Sequence, residues 1–300
     1  MSTHNKDEHH ATATIQRLMI AEGGVVAPGS SNVAADTETA PLRNNRGAPG
    51  APDKVNVQER LKSLNMLVPG SLLGDNAADE YRRIKRPLLS NAFGKSSSLV
   101  ERGNLIMVTS SVPDEGKTYT AINLALAIAQ ERDNTVLLID CDPAQKGSSR
   151  IFGLGDKPGL IDVLEEEYYT ISDVLVQTDI PGLVMLPAGK RHGFVTELLA
   201  SHRMKNLVDE ITSRYKDRVI IFDVPPMLST PQTQVIAELV GQVVFVIETG
   251  KTPQSAIHEA LEMIPSSKAV GLVLNKAEGM SNRGGYYHGY YGTYGDRDDS

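Results

Sequence analysis

Leu105-Ile-Met-Val-Thr-Ser-Ser-Val-Pro-Asp-Glu-Gly-Lys-Thr-Tyr-Thr120 is the stretch on which the fold is decided. Its first five residues (LIMVT) are a continuous apolar run of strand length. From Lys117 to Glu131 the pattern KTYTAINLALAIAQE reads as a mostly buried helix. The turn between them ends in Gly116-Lys117-Thr118. A phosphate-binding loop needs backbone N–H groups facing the anion, a lysine for its outer oxygens and a hydroxyl for Mg²⁺. Those last three positions supply them at the N-terminus of a helix, whose dipole favours negative charge. Ser111 stands where the usual first glycine of such a loop would be, so the strand–loop–helix context carries the reading.

Outward from this loop, apolar runs alternate with helical patterns. Strands are predicted at Thr135–Asp140 (TVLLID), Leu183–Pro187, Arg218–Asp223 (RVIIFD), Gln242–Glu248 (QVVFVIE) and Ala269–Asn275 (AVGLVLN). Helices are predicted around Gly159–Glu166, Val195–Tyr215, Thr230–Leu239 and Pro253–Ile264. Val/Ile/Leu strands between helices point to an α/β, P-loop NTPase-type fold with a mostly parallel sheet and helices on both faces. Two strands end in acids: one runs into Asp140-Cys-Asp142, the other into Asp223-Val-Pro-Pro226. Carboxylates at the C-terminal ends of parallel strands suit Mg²⁺ handling at a nucleotide. Asp223 fits a Walker B role, and the two prolines after it are expected to turn the chain away from the sheet. Cys141, between two acids, reads as a half-buried bystander, and the His9-His10 pair as solvated.

Upstream, Asn76–Phe93 looks helical, with Tyr81, Ile84, Leu88 and Leu89 on one side and Glu80, Arg83 and Arg86 on the other. Pro87 is expected to kink or restart that helix. Residues 1–56, rich in Ala, Gly, Pro, Ser and Thr, read as a disordered linker, within which Thr12–Glu22 could form a short helix. The nucleotide-binding domain is assigned to 57–277 and a flexible tail to 278–300.

Composition narrows the classes. A 40% hydrophobic chain of 300 residues can bury a large core. A net charge of −7 argues against a nucleic-acid binder. A single cysteine excludes a disulfide scaffold. No apolar run approaches the roughly 18–20 residues of a membrane span, and no signal core opens the chain, so a cytoplasmic location is expected. Of the 10 tyrosines, Tyr286, Tyr287, Tyr290, Tyr291 and Tyr294 crowd a Gly-rich tail. Such spacing offers no packing face and lets each phenol enter an active site in turn.

Taken together, these motifs resemble the bacterial protein-tyrosine autokinases of exopolysaccharide loci, over roughly Leu61 to Tyr294. The loop, the Walker A′ run into Asp140-Cys-Asp142, the Phe-Asp-Val-Pro-Pro Walker B, the Glu80-x-x-Arg83-x-x-Arg86 segment and the tyrosine tail carry the likeness. The Glu-Tyr-Arg-Arg-Ile-Lys-Arg-Pro-Leu-Leu and Ser-Arg-Ile-Phe-Gly-Leu stretches look most like stand-alone kinases of exosortase/PEP-CTERM loci. Two positions depart from the family pattern: Asp114, where Gly is frequent, and Ala144, where many members have Arg.

The resemblance implies transfer of the ATP γ-phosphate to tail tyrosines, with ATP and Mg²⁺ as cofactors. It assigns Pro113, Asp114, Glu115, Gly116, Lys117, Thr118 and Tyr119 to the nucleotide, with Asn275 and Lys276 bordering the adenine. Thr118, Asp140 and Asp223 would organise Mg²⁺. Asp140 or Asp142 would accept or orient the tyrosyl proton, Asp140 being favoured near the metal, and the two roles could be exchanged. Tyr286, Tyr287, Tyr290, Tyr291 and Tyr294 would be the acceptors. Glu80, Arg83 and Arg86 would form the contact of a ring-like homo-oligomer that presents one tail to the next subunit. Implied partners are a membrane chain-length-determinant or activator protein of a polysaccharide locus, which would recruit the chain to the inner face of the membrane, and a phosphotyrosine phosphatase. Two rival readings are a partitioning or division-site ATPase switch and a non-catalytic ATP-binding regulator of polysaccharide assembly. The first usually has a signature lysine where Val112 stands and leaves the tyrosine tail unexplained.

Overall fold

The computed structural model describes residues 14–16, 54–68, 75–215 and 217–277. The tail tyrosines and the His9-His10 pair lie outside the described residues.

The strands are β1 (Thr14–Gln16), β2 (Leu105–Ser110), β3 (Thr135–Asp140), β4 (Val176–Gln177), β5 (Leu183–Leu186), β6 (Arg218–Asp223), β7 (Gln242–Glu248) and β8 (Ala269–Asn275). They form one sheet in the order β1-β8-β7-β2-β6-β3-β5-β4. All pairings from β8 across to β5 are parallel, and the short outer strands β1 and β4 pair antiparallel. In this central part the structure agrees with the alternation read from the sequence. The two short edge strands were not foreseen. Thr14–Gln16 is extended rather than helical, and its backbone covers the edge that β8 would otherwise leave open.

Alternation along the central strands builds two cores. Leu105, Met107, Leu137, Ile139, Ile220, Phe222, Val243 and Phe245 face one side. Ile106, Val108, Val136, Leu138, Val219, Ile221, Val244 and Val246 face the other. Helices α5 (Leu160–Glu165), α7 (Val195–Leu199), α8 (His202–Arg214), α9 (Gln232–Leu239) and α10 (Gln254–Glu262) cover the first face. The second lies under α1 (Gln58–Ser63), α2 (Asp75–Phe93) and α3 (Lys117–Ala129). With both faces buried, these strands have no solvent side to carry polar residues.

Helix α2 runs through Pro87 without a restart. Its inner stripe of Tyr81, Ile84 and Leu88 is buried, as the periodicity requires. Lys85 adds an anchor, donating to the Ala127 carbonyl at 2.7 Å and pairing with Glu131 at 2.6 Å at the end of α3. Packing of this face outweighs the one backbone donor that Pro87 lacks. Arg83 and Arg86 are exposed and Glu80 is partly covered. The predicted Val195–Tyr215 helix is two helices, because Ser201 caps α8 by accepting the Met204 N–H at 3.2 Å.

The short helices α4 (Gly147–Ile151) and α6 (Ile171–Val174) complete the fold. No helix among the described residues is long and apolar enough to cross a membrane.

Candidate active site

Strands β2, β3 and β6 lie side by side, and their C-terminal ends bring the phosphate loop, Asp140 and Asp223 together. Asp140 and Asp223 are register partners. Between β2 and α3 the chain passes Asp114 at φ 65° and Gly116 at φ 95°. Both lie in the left-handed region. A Cβ on Gly116 would stand 1.9 Å from the Asn275 Nδ2, so only glycine fits there. Asp114 occupies a conformation that a frequent family glycine takes without steric cost, and that Asp tolerates better than most residues.

Side chains from the far end of the sheet hold the loop in shape. Asn275 Nδ2 donates to the Glu115 carbonyl at 2.8 Å. Lys276 Nζ donates to the Asp114 carbonyl at 2.6 Å and pairs with Glu248 at 3.1 Å. Glu115 is buried; its carboxylate accepts the Val112 N–H at 2.7 Å, the Glu248 N–H at 3.3 Å and the Thr252 hydroxyl. In this structure Asn275, Lys276 and Glu115 are engaged with the loop and its surroundings, while Asn275 Oδ1 is buried with no hydrogen-bond partner among the described residues. Tyr119 also points away, donating its phenol to the Asn65 carbonyl at 3.0 Å. Pro113 and Asp114 are exposed at the loop tip. The Ser111 hydroxyl, where a glycine is usual, is buried without a hydrogen-bond partner among the described residues.

At the strand ends, Asp223 Oδ1 accepts the Thr118 hydroxyl at 3.3 Å, and Oδ2 accepts the Ser148 hydroxyl. Asp140 is closed in differently. Oδ1 accepts the Asp142 N–H at 3.0 Å, and Oδ2 accepts the Ser149 N–H at 2.8 Å and hydroxyl at 2.7 Å. Ser149 Oγ in turn accepts the Ala188 N–H at 3.0 Å. Asp142 Oδ1 accepts the Gln145 N–H at 3.0 Å.

Burial, then the facing Asp223 charge, pushes the Asp140 carboxyl up to about 7, against the pull of Ser149 and the Asp142 N–H. Burial also raises Asp223, opposed by the Lys117 charge and by the Ser148 and Thr118 hydroxyls. Cys141 is fully buried rather than half-buried, in the core beneath these acids, and burial raises its thiol well above the usual range. It has no access to chemistry. The prolines after Asp223 do not turn the chain away: Val224 donates to the Val108 carbonyl at 3.3 Å and Met227 to that of Ser110 at 2.8 Å, so the segment stays beside β2.

Among the described residues no group of three or more His, Cys, Asp or Glu forms a metal site. The donors present are one hydroxyl and two buried carboxylates at the foot of a phosphate loop. That set fits Mg²⁺, which binds through one or two carboxylates while phosphate and water complete its shell. A cation there would also relieve two facing carboxylates.

Ser148 escaped the sequence reading, and Ser149 entered it only as the first residue of the Ser-Arg-Ile-Phe-Gly-Leu stretch, with no role at the site. The Gly147-Ser-Ser triplet carries no motif, and only the placement of α4 beneath the acids gives it a role. At Ala144, where many members of the resembling family have Arg, the carbonyl accepts an N–H of the Arg191 guanidinium at 2.9 Å.

The model of the AAA domain family matches residues 105–269. Tyrosine-protein kinase YwqD of Bacillus subtilis (strain 168) is 31% identical over 254 residues, covering 84% of this chain and 96% of that one. Tyrosine-protein kinase ptk of Acinetobacter johnsonii is 29% identical over 236 residues, covering 78% of this chain and 31% of that protein. The chain thus spans nearly all of the first relative and about a third of the second. The crystal structure of the chimerical protein CapA2B2 is similar with a TM-score of 0.58 at 26% identity, over 74% of this chain and 93% of that one.

Proposed function

This chain belongs to the AAA-domain family of bacterial tyrosine-protein kinases, and from that membership we propose that it transfers the γ-phosphate of ATP to tyrosines of its own C-terminal tail, in the service of exopolysaccharide synthesis and export. The observation that carries the reading is the meeting of the Gly116-Lys117-Thr118 loop with Asp140 and Asp223 at the ends of adjacent strands. Phosphoryl transfer needs positioning and charge stabilisation more than covalent help from the protein.

The loop amides and Lys117 hold the β- and γ-phosphates. Thr118 and Asp223 hold Mg²⁺, with Asp140 beside them. Bound there, the ion supplies charge neutralisation for the transferring group. The phenol of a tail tyrosine, with a pKa near 10, needs a base close by at neutral pH. Asp140 or Asp142 accepts or orients that proton, Asp140 from beside the metal and Asp142 toward the acceptor. Asn275, Lys276 and Glu115 serve the nucleotide indirectly, by fixing the loop.

The acceptors in this reading are Tyr286, Tyr287, Tyr290, Tyr291 and Tyr294. Copies of the chain assemble in a ring through Glu80, Arg83 and Arg86, which places one tail at the next site. A membrane activator protein and a phosphotyrosine phosphatase are the partners this role requires. Each phosphotyrosine carries a charge of nearly −2, so accumulated phosphate would loosen the ring by repulsion.

The test is to incubate the full chain with Mg-ATP and map phosphate by tandem mass spectrometry. Phosphate on tail tyrosines is expected. ATP hydrolysis without phosphotyrosine would overturn the reading and favour a nucleotide switch.

A further inference from the structure

Asp142 stands at the head of a tight turn. Its Oδ1 accepts the Gln145 N–H at 3.0 Å, its carbonyl accepts the Lys146 N–H at 2.6 Å, and Lys146 leads into α4 at φ 53°. The turn is tied down at both ends. The Asp142 N–H donates to Asp140 Oδ1 at 3.0 Å, and Lys146 Nζ donates past α4 to the Gly155 carbonyl at 2.6 Å. Its crest is different. Ala144 and Gln145 are exposed, and a methyl group gives Ala144 nothing with which to hold its own place. Arg191 reaches this crest from the loop after β5, 47 residues further along the chain, and donates a guanidinium N–H to the Ala144 carbonyl at 2.9 Å.

The loop that carries Arg191 is firmly seated. The Pro187 and Ala188 carbonyls accept the Leu160 and Ile161 N–H groups at 2.8 and 3.1 Å. The Lys190 N–H donates to Asp162 Oδ2 at 3.2 Å, and Lys190 Nζ pairs with Glu165 at 2.6 Å. Gly189 turns at φ 84°, where a Cβ would stand 2.2 Å from that same Asp162 oxygen, so glycine closes the loop onto α5. Helix α5 is itself set in the core through Leu160, Val163 and Leu164. This loop already holds the other acid of the pair. The Ala188 N–H donates to Ser149 Oγ at 3.0 Å, and that hydroxyl donates to Asp140 Oδ2 at 2.7 Å. One seated loop thus reaches both acids, Asp140 through Ser149 and the Asp142 turn through Arg191.

We infer that Arg191 is a positioning residue for Asp142: it braces the crest of the turn against the loop that also orients Asp140, and so fixes the two acids relative to one another. The inference rests on the autokinase reading only for what Asp142 does in the reaction. Arg191 acts through the turn and not on the reacting atoms, and it acts as a hydrogen-bond donor to a carbonyl rather than as a charge. Groups held in place before the reaction need no reorganisation during it. Without the brace the crest keeps its internal bonds, but the turn as a whole can tilt on its two ends, and the Asp142 carboxylate tilts with it.

The test compares the native full chain with Arg191→Ala, Arg191→Lys and Lys157→Ala, the last removing an equal charge from the same cavity wall. Amide hydrogen exchange at Gln145 and Lys146, measured without nucleotide, is expected to quicken about threefold to tenfold in Arg191→Ala, the loss of one net hydrogen bond. Arg191→Lys keeps a donor on a long stem and should restore most of the protection. Lys157→Ala should exchange as the native chain does, and β6 should exchange alike in all four proteins. Unchanged exchange at Gln145 and Lys146 in Arg191→Ala would overturn the brace. An equal effect of Lys157→Ala, or equally faster exchange on β6, would overturn it too, because the effect would then be one of charge or of general stability. With Mg-ATP, Arg191→Ala should lower the rate of phosphotyrosine formation at saturating ATP several-fold, with KM for ATP unchanged and the rate recovered in Arg191→Lys. A raised KM with an unchanged saturating rate would overturn the role at Asp142. Absence of phosphotyrosine from the native chain would instead contradict the kinase reading, while the exchange comparison would still decide the brace.

Discussion

Asp140 and Asp223 are opposite numbers on neighbouring strands, both buried and both held above the usual carboxylate range. Their partners differ in kind. Asp140 is fixed by two backbone N–H groups and a serine that is itself bonded to Ala188. Asp223 is met by two hydroxyls and the Lys117 charge. Backbone donors cannot leave, whereas hydroxyls can turn and exchange an acid for a cation. In the proposed mechanism the pair divides one job: Asp140 keeps a fixed direction, and Asp223 keeps exchangeable coordination, as a metal ligand requires.

Substitutions can break this division. Asp140→Asn should cause the largest loss, about 10²–10⁴-fold in the rate of phosphotyrosine formation, and should erase the acidic limb of the pH–rate profile. It also has a stability signature. A carboxyl whose folded pKa lies above its unfolded value of about 4 makes the folded state bind the proton more tightly. Native stability therefore falls as pH rises from about 4 to 7 on this group's account, and Asp140→Asn should flatten that fall in thermal melts across the range. Asp223→Asn should cost about 10²–10³-fold and raise the Mg²⁺ concentration needed for half-maximal rate, which Asp140→Asn should change less. If the two variants respond alike to Mg²⁺ and to pH, the division is wrong.

Smaller changes sharpen it. Ser149→Ala removes a donor to the charged form of Asp140, so the acidic limb should move to higher pH. It also leaves the Ala188 N–H without its partner, at a cost of about 1–3 kcal/mol in denaturant unfolding. Ser148→Ala should have the least effect, within about 1 kcal/mol in stability, because Thr118 and Lys117 remain beside Asp223.

The central sheet was legible because each strand is a short run of Val, Ile and Leu buried on both faces, and such runs are hard to mistake between helical patterns. Gly116-Lys117-Thr118 and the two acidic strand ends were legible for the same reason: topology puts the ends of β2, β3 and β6 at one place. What sequence could not reveal depends on partners distant along the chain. Asn275 and Lys276 lie some 160 residues from the loop carbonyls they hold. Ser148 and Ser149 acquire meaning only when α4 folds under the acids. Pro87 argued for a break in α2, and tertiary packing through Tyr81, Ile84, Lys85 and Leu88 overrode it. The α7–α8 boundary turned on one serine cap inside a continuous helical pattern.

The most direct test of the account is phosphotyrosine formed with Mg-ATP by three full-scale preparations: the native chain, Lys117→Met, and a chain truncated before Gly284. Signal in the native chain alone is the expected result. Equal signal in Lys117→Met would contradict the assigned phosphate site, and equal signal in the truncated chain would contradict the tail as acceptor.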